Sequence, residues 1–244
     1  MAKSFANQKE NCLSKVDCSR KGVIDLPIHD LCQYINSRDR LFTTSSCSGR
    51  IIIFEDEEEN GVKKKGCKWL FTTHTQTSLE EMKDALMDIA GEAVFKFEPF
   101  VMHVQCQELQ DAQNLHSVAV SSGFRNSGIT IGKKGKIITA IRSTQGLEVP
   151  LSCEGQILIS EQYINHIIKI ANKKMEENEN RIDRLTHNLK ASLEAFPSEN
   201  LPELSKKKKL QNKKRKDPDL SSTTTKAKTE DSFTDLDLSD MFIK

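Results

Sequence analysis

Between Ile164 and Leu189 apolar or small residues recur at steps of four and three: Ile164, Ile168, Ala171, Met175, Ile182, Leu185 and Leu189, with Asn178 as the one polar member. About three and a half heptads of this spacing define a long helix whose continuous stripe something must cover. Two covers fit. The first half of the helix packs on a body built from the preceding residues, or the whole arm, residues 160–196, dimerises against a second copy. Pro197 and Pro202 end the helix in either case.

The body upstream must supply strands as well as helices. Phe5, Cys12 and Val16 give a sparse apolar side to a first helix. Asp25 can cap a second, with Pro27 in its first turn and Ile28, Leu31, Cys32 and Ile35 spaced for burial as far as Asn36-Ser37. Two apolar runs then flank Asn60-Gly61, a hairpin signal, with an acidic run over 55–59 facing Lys63, Lys64 and Lys65. Ser78 and Glu81 form a capping box ahead of Leu79, Met82, Leu86 and Ile89, and Gly91 stops that helix. A strand interrupted at Pro99 follows, then a helix from Leu109 to Ser122 closed by Gly123. Three strand-like runs, GITIG, IITAIRST and LEVPLS, complete the series.

This interleaving predicts an α+β (α/β-type) body over 1–159, with a mixed sheet of about six strands and packed helices. It is not a doubly wound Rossmann methyltransferase, because no GxG turn follows the first strand. Residues 160–196 form the long helix, and 197–244 a tail with too little apolar surface to fold alone. The formal charge of +1 conceals an asymmetry: residues 201–244 hold 11 Lys/Arg against 8 Asp/Glu. The basic run over 206–216 reads as a nuclear-import signal or as an RNA contact. Seven cysteines without a CxxC pair predict reduced thiols in the cytosol or nucleus and no metal site. No apolar run approaches the ~20 residues of a membrane helix, so no membrane is expected.

The chemistry concentrates in TTSSCSGRIIIF, residues 43–54. It lacks the GxSxG elbow of a serine nucleophile and the GK[ST] ending of a phosphate loop. What remains is a turn whose hydroxyls (Ser45, Ser46, Ser48) and Arg50 suit a phosphate or carboxylate, or else a plain serine-rich turn leading into a strand. GITIGKKGKII has the GxxG of a nucleic-acid-clamping loop, but its β-branched flanks make it a basic hairpin. Among the histidines, His74 and His103 rank highest because they sit at or near strand ends. Glu98 and His103 point to opposite faces of a regular strand, five residues apart, and share a site only if Pro99 introduces a bulge.

Six blocks in order, DCSRKGVID, TSSCSGRI, Trp69 with His74, KFEPFVMHV, GFRNSGI and IRS with EVPL, resemble the tRNA wybutosine-synthesizing protein 3 family in its eukaryotic form. The resemblance covers about residues 4–155. It implies an S-adenosylmethionine-dependent methyltransferase acting on a ring nitrogen of the wybutosine precursor, after the aminocarboxypropyl group is added. That base lies 3′ of the anticodon of phenylalanine tRNA. Under this resemblance Ser46, Ser48, Gly49 and Arg50 bind the cofactor. Asp17, Ser19, Lys21, Trp69, Arg125, Asn126 and Ser127 bind the substrate, and His74, Glu98 and His103 take the proton or orient the base. Partners would be phenylalanine tRNA and other wybutosine-pathway enzymes, in a cytoplasmic setting with nuclear entry through the basic run. The rival reading is a non-catalytic RNA-binding or scaffold protein using the 132–136 hairpin, the helical arm and the tail.

Overall fold

The computed structural model of the chain describes residues 4–14, 23–56, 67–132 and 135–195. These belong to one compact unit, Met1–Ala195. The expectations for Asp17, Ser19 and Lys21, for the Asn60-Gly61 turn, for part of the basic loop and for the tail lie outside the described residues.

Helix α1 (Phe5–Leu13) starts at Ser4, whose hydroxyl accepts from the Asn7 amide. A 3-10 turn over Leu26–Ile28 leads into α2 (His29–Asn36). Asp25 does not cap it; its carboxylate is spent elsewhere, as shown below. Strand β1 (Leu41–Asp56) is far longer than the predicted run, because the serine-rich stretch is itself strand, hydrogen-bonded to β3 (Glu92–Cys106) along nearly its whole length. β2 (Cys67–Thr73) pairs with the last third of β1. Helix α3 (Leu79–Met87) carries the predicted Ser78–Glu81 capping box but ends before Gly91, since the Ala90 and Gly91 amides donate to the buried Glu55.

After β3 come α4 (Leu109–Ser121), β4 (Gly128–Ile131), β5 (Ile137–Arg142), β6 (Leu147–Pro150), a small hairpin β7 (Ser152–Cys153) and β8 (Gln156–Ile157), and α5 (Glu161–Ala195). Gly123, at φ +105°, closes α4 in a Schellman arrangement: its amide reaches Val120 and that of Phe124 reaches Ala119. That turn buries Phe124 against Phe100, ring centroids 5.1 Å apart.

The main sheet has the order β2-β1-β3-β5-β4, with β6 on the β5 edge of β3. The six strands and the α+β class match the sequence reading; the sheet is antiparallel at every described pairing rather than mixed. Helices α2 to α5 pack on one face. One core cluster joins α2, α4 and the second half of α5 to Phe100, Met102 and Val104. The other joins α3 and the first half of α5 to Ile51, Ile53, Phe95 and Phe97. The α5 stripe is therefore buried on its own chain along its length. Among the described elements only α1 touches the opposite face, where Phe5 meets Phe42 and Gln8 accepts from Gln105.

A hinge crosses the two central strands. In β3 residues 93, 95 and 97 point to the helices, and then 100, 102 and 104 do. The parity changes at Pro99, opposite Gly49 in β1. Proline has no N–H to give the ladder. Asn178 of α5 fills the gap: its amide nitrogen donates to the Ser48 carbonyl (2.8 Å) and its oxygen accepts from the Phe100 amide (2.8 Å). Gly49 has φ +105°, and a Cβ there would lie 3.0 Å from the Asn178 amide nitrogen and 3.1 Å from the Glu98 carbonyl, so only glycine fits.

Replacing Asn178 by Leu orphans two buried backbone groups, each worth about 1–3 kcal/mol, so the expected cost is about 2–6 kcal/mol. Urea denaturation of Asn178→Leu, compared with wild type, checks it.

Candidate active site

The hinge lies where flanking strands stop. β2 pairs with β1 only from Ile51 onward, and β5 and β6 leave residues 98–100 of β3 uncovered between them. The β1 edge freed by β2 is taken by side chains. Asp25 Oδ2 accepts from the Ser48 amide (2.9 Å) and the Ser48 hydroxyl (3.2 Å). His74, just past the end of β2, donates from Nδ1 to the Gly49 carbonyl (2.9 Å) and lies 3.4 Å from Asp25 Oδ2. A carbonyl only accepts, so the proton is on Nδ1 and the lone pair of the neutral ring is on Nε2. Asp25 is 8% exposed and His74 23%.

Beside this pair, Arg50 donates from Nε to Glu98 Oε2 (2.7 Å), and its guanidinium stacks 4.6 Å from the centre of the Trp69 ring. Lys96 sits 3.6 Å from Glu98 and 3.1 Å from Glu148. The Arg50 and Glu98 side chains are 30% and 32% exposed. An ion pair this wet contributes at most about 1 kcal/mol, so a ligand with matching charges can displace it. Asp25, Cys47 and His74 also bring three metal-type ligand atoms within 4.8 Å of one another. Asp25 Oδ2 and His74 Nδ1 are already committed to hydrogen bonds, and burial pushes the Cys47 thiol pKa up.

A second polar centre lies on the same strands. The parity change puts Glu98 and His103 on one face, but without the bulge the sequence reading required at Pro99: the β1–β3 register runs unshifted through Gly49–Pro99. His103 shares a 2.9 Å hydrogen bond with the Ser45 hydroxyl through Nδ1, and Arg142 donates from Nη2 to its Nε2 (3.1 Å). Guanidinium cannot accept, so His103 is neutral with its proton on Nδ1 and Ser45 accepting. Burial, and then the Arg142 charge, lower the His103 pKa. The Arg142 backbone is held by the Ser127 hydroxyl, which accepts its amide and donates to the Phe124 carbonyl. Ser45 and Arg50 lie five residues apart on β1, on either side of the hinge at Gly49, and so divide the two centres.

Comparison with known proteins decides the family. The family described as Methyltransferase TYW3 matches residues 7–191. The tRNA wybutosine-synthesizing protein 3 homolog of Danio rerio is 53% identical over 192 residues, 78% of this chain and 76% of that protein. The chain belongs to the TYW3 methyltransferase family. An archaeal relative from Pyrococcus furiosus is 36% identical, over 78% of this chain and 97% of its own; it is named tRNA(Phe) 7-((3-amino-3-carboxypropyl)-4-demethylwyosine(37)-N(4))-methyltransferase 1. The fold is shared with the solved PH1069 protein of Pyrococcus horikoshii, at a TM-score of 0.69 and 36% identity over 76% of this chain and 96% of that one.

Within this TYW3 fold, Ser48, Gly49, Arg50, Trp69, His74 and Glu98 gather at the hinge. Arg50 covers one face of Trp69, the ring expected to stack on the base. Ser46 is turned away, its hydroxyl 3.7 Å from the Cys32 thiol of α2 on the helix-covered side. The three serines do not converge as a turn would make them, because side chains alternate along a strand. Arg125 and Asn126 are exposed in the turn between α4 and β4. Two polar residues went unread as site members. The local pattern marks Asp25 as a helix cap, although it closes the first of the six blocks. Arg142 lies in the IRS block without an assigned partner.

A lowered His103 pKa means that the folded state resists protonating this ring. Its contribution is full above the unfolded histidine pKa of about 6.5 and is lost as the pH falls through the folded value. Stability of the TYW3 chain should therefore drop more steeply on acidification below about pH 6.5 than that of His103→Gln, as thermal melting across pH reads out.

Proposed function

We propose that this TYW3-family chain methylates a ring nitrogen of the tricyclic, aminocarboxypropyl-bearing base 3′ of the anticodon of phenylalanine tRNA, with S-adenosylmethionine as methyl donor. The named activity of the archaeal relative supports the reaction. The structural observation that carries it is the hinge cluster: a histidine of fixed tautomer backed by a buried carboxylate, next to an exchangeable Arg–Glu pair.

The donor set fits the cofactor. S-adenosylmethionine bears a carboxylate and an ammonium on one carbon, and Arg50 and Glu98 offer the complementary charges 2.7 Å apart at partial exposure. Arg50 would hold the carboxylate and Glu98 the ammonium. Bound there, the cofactor supplies an electrophilic methyl on a sulfonium, so the protein needs no covalent nucleophile. The protein must hold the acceptor nitrogen in line, exclude water and receive the proton that nitrogen loses. Nε2 of His74 is the receiving atom, since Nδ1 is committed to Gly49. Once protonated, the ring carries a positive charge that Asp25, 3.4 Å from Nδ1, offsets. Asp25 also locks Ser48 and thereby the backbone on which Gly49 and Arg50 stand.

The test is methyl transfer from labelled donor to precursor-bearing phenylalanine tRNA by the full chain. His74→Ala should lower kcat by about 10²–10⁴-fold. Arg50→Ala should weaken cofactor binding by roughly ten-fold or more in calorimetry. Wild-type rates and affinity in both folded variants would remove the hinge from the chemistry.

A further inference from the structure

We propose that Arg142, with His103 and Ser45, forms a second oxyanion site on the open face of the sheet, which takes a carboxylate or phosphate group of the RNA substrate. This rests on reading the chain as an RNA methyltransferase.

Four arginines of the described unit meet carboxylates, while Arg38 lies over the Tyr34 ring and Arg125 is exposed. Arg40 contacts Glu108 and Asp111, Arg50 contacts Glu98, and Arg181 and Arg184 share Glu177. Arg142 has no carboxylate partner among the described residues; its guanidinium donates to Nε2 of His103, an imidazole whose pKa burial, and then the Arg142 charge, lower. A half-buried cation whose partner carries no charge has given up water without gaining a counter-ion. Its position is nonetheless held firmly. Ser127 fixes the Arg142 amide, the Schellman turn at Gly123 fixes Ser127, and His116 donates to the Ser127 carbonyl at 3.1 Å.

The groups around it are donors. Ser45, at an exposed position, accepts from His103 Nδ1, and its own O–H is a further donor. The remaining guanidinium N–H groups form a planar fork suited to two oxygens. The contrast with the hinge is chemical. There Arg50 comes with Glu98 and matches a zwitterion, whereas Arg142 comes with hydroxyl and imidazole and matches a plain anion. The reading offers two sources on one substrate: the carboxylate of the side chain carried by the base, and a backbone phosphate beside it. Both present the same paired oxygens to the fork.

The experiment uses the full chain and two small probes, 2-aminobutyrate for the carboxylate and adenosine 5′-monophosphate for the phosphate, with adenosine as control. Binding should draw Arg142 from His103 Nε2, so the His103 ring-nitrogen resonances should move with the probe that matches the natural source and stay put with adenosine. In Arg142→Gln that response should vanish. The KM for precursor-bearing tRNA should then rise roughly ten-fold or more, while the S-adenosylmethionine Kd changes by less than about two-fold. Arg142→Lys, which keeps the charge without the fork, should recover part of the loss. A wild-type His103 resonance indifferent to both probes, or an Arg142→Gln chain with unchanged KM, overturns the site and leaves the methyltransferase reading standing. Probe binding that depends on Arg142 in a chain without methyl transfer leaves the site standing and overturns that reading.

Discussion

One side-chain amide holds the molecule's organisation together. Asn178 reaches from α5 into the ladder between β1 and β3 and replaces the backbone pairing lost at the Gly49–Pro99 crossing. Buried backbone groups must be satisfied, so a sheet can break its pleat in mid-strand only if another element supplies the missing donor and acceptor. That break reverses the parity of both strands. Phe95 and Phe97 on one side of it, and Phe100 and Met102 on the other, then all face the helices. The same reversal puts Glu98 and His103 on the open face together, and a regular strand would have separated them.

The two polar centres divide the electrostatic work. At the hinge a buried acid, a histidine and an Arg–Glu pair sit within a few ångströms, so charge there is balanced and can be exchanged. Further along, Arg142 has no carboxylate partner among the described residues and donates to His103 Nε2. Each centre occupies a place where strand pairing ends. The first uses the β1 edge that β2 leaves, and the second uses the end of β5 before the gap to β6. Polar side chains collect at these ends because the backbone there still needs partners: Asp25 takes the Ser48 amide and His74 the Gly49 carbonyl.

Much of this was legible where the physics is local. The Ser78 capping box, the Gly123 stop and the stripe through Leu189 depend on neighbours a few residues away, and they appear as the sequence predicts. Asn178 could be seen as the odd member of that stripe, but its bonding partners are 78 and 130 residues away. The stretch over 43–49 read as a turn because Ser and Thr compete for backbone hydrogen bonds. Its pairing with β3 overrides that preference, since a long antiparallel ladder satisfies the backbone along the whole segment. Asp25 followed the same logic in reverse. A cap beside Pro27 is a good local guess, and a distant amide outcompeted it.

The absence of a glycine-rich turn after the first strand also gains a physical meaning. In parallel α/β sheets every strand points the same way, and a crevice opens at their carboxyl ends where the strand order reverses. Neighbouring strands here run in opposite directions, so neither end of the sheet collects such a crevice. Polar side chains are gathered within the sheet instead, by bending it and ending its outer strands early. Pro99, Gly49 and Asn178 do the bending, and Asp25 and His74 occupy the edge that the bend exposes. The covering helix thus acts on the site through the backbone, which is why a polar residue sits in the middle of an otherwise apolar stripe.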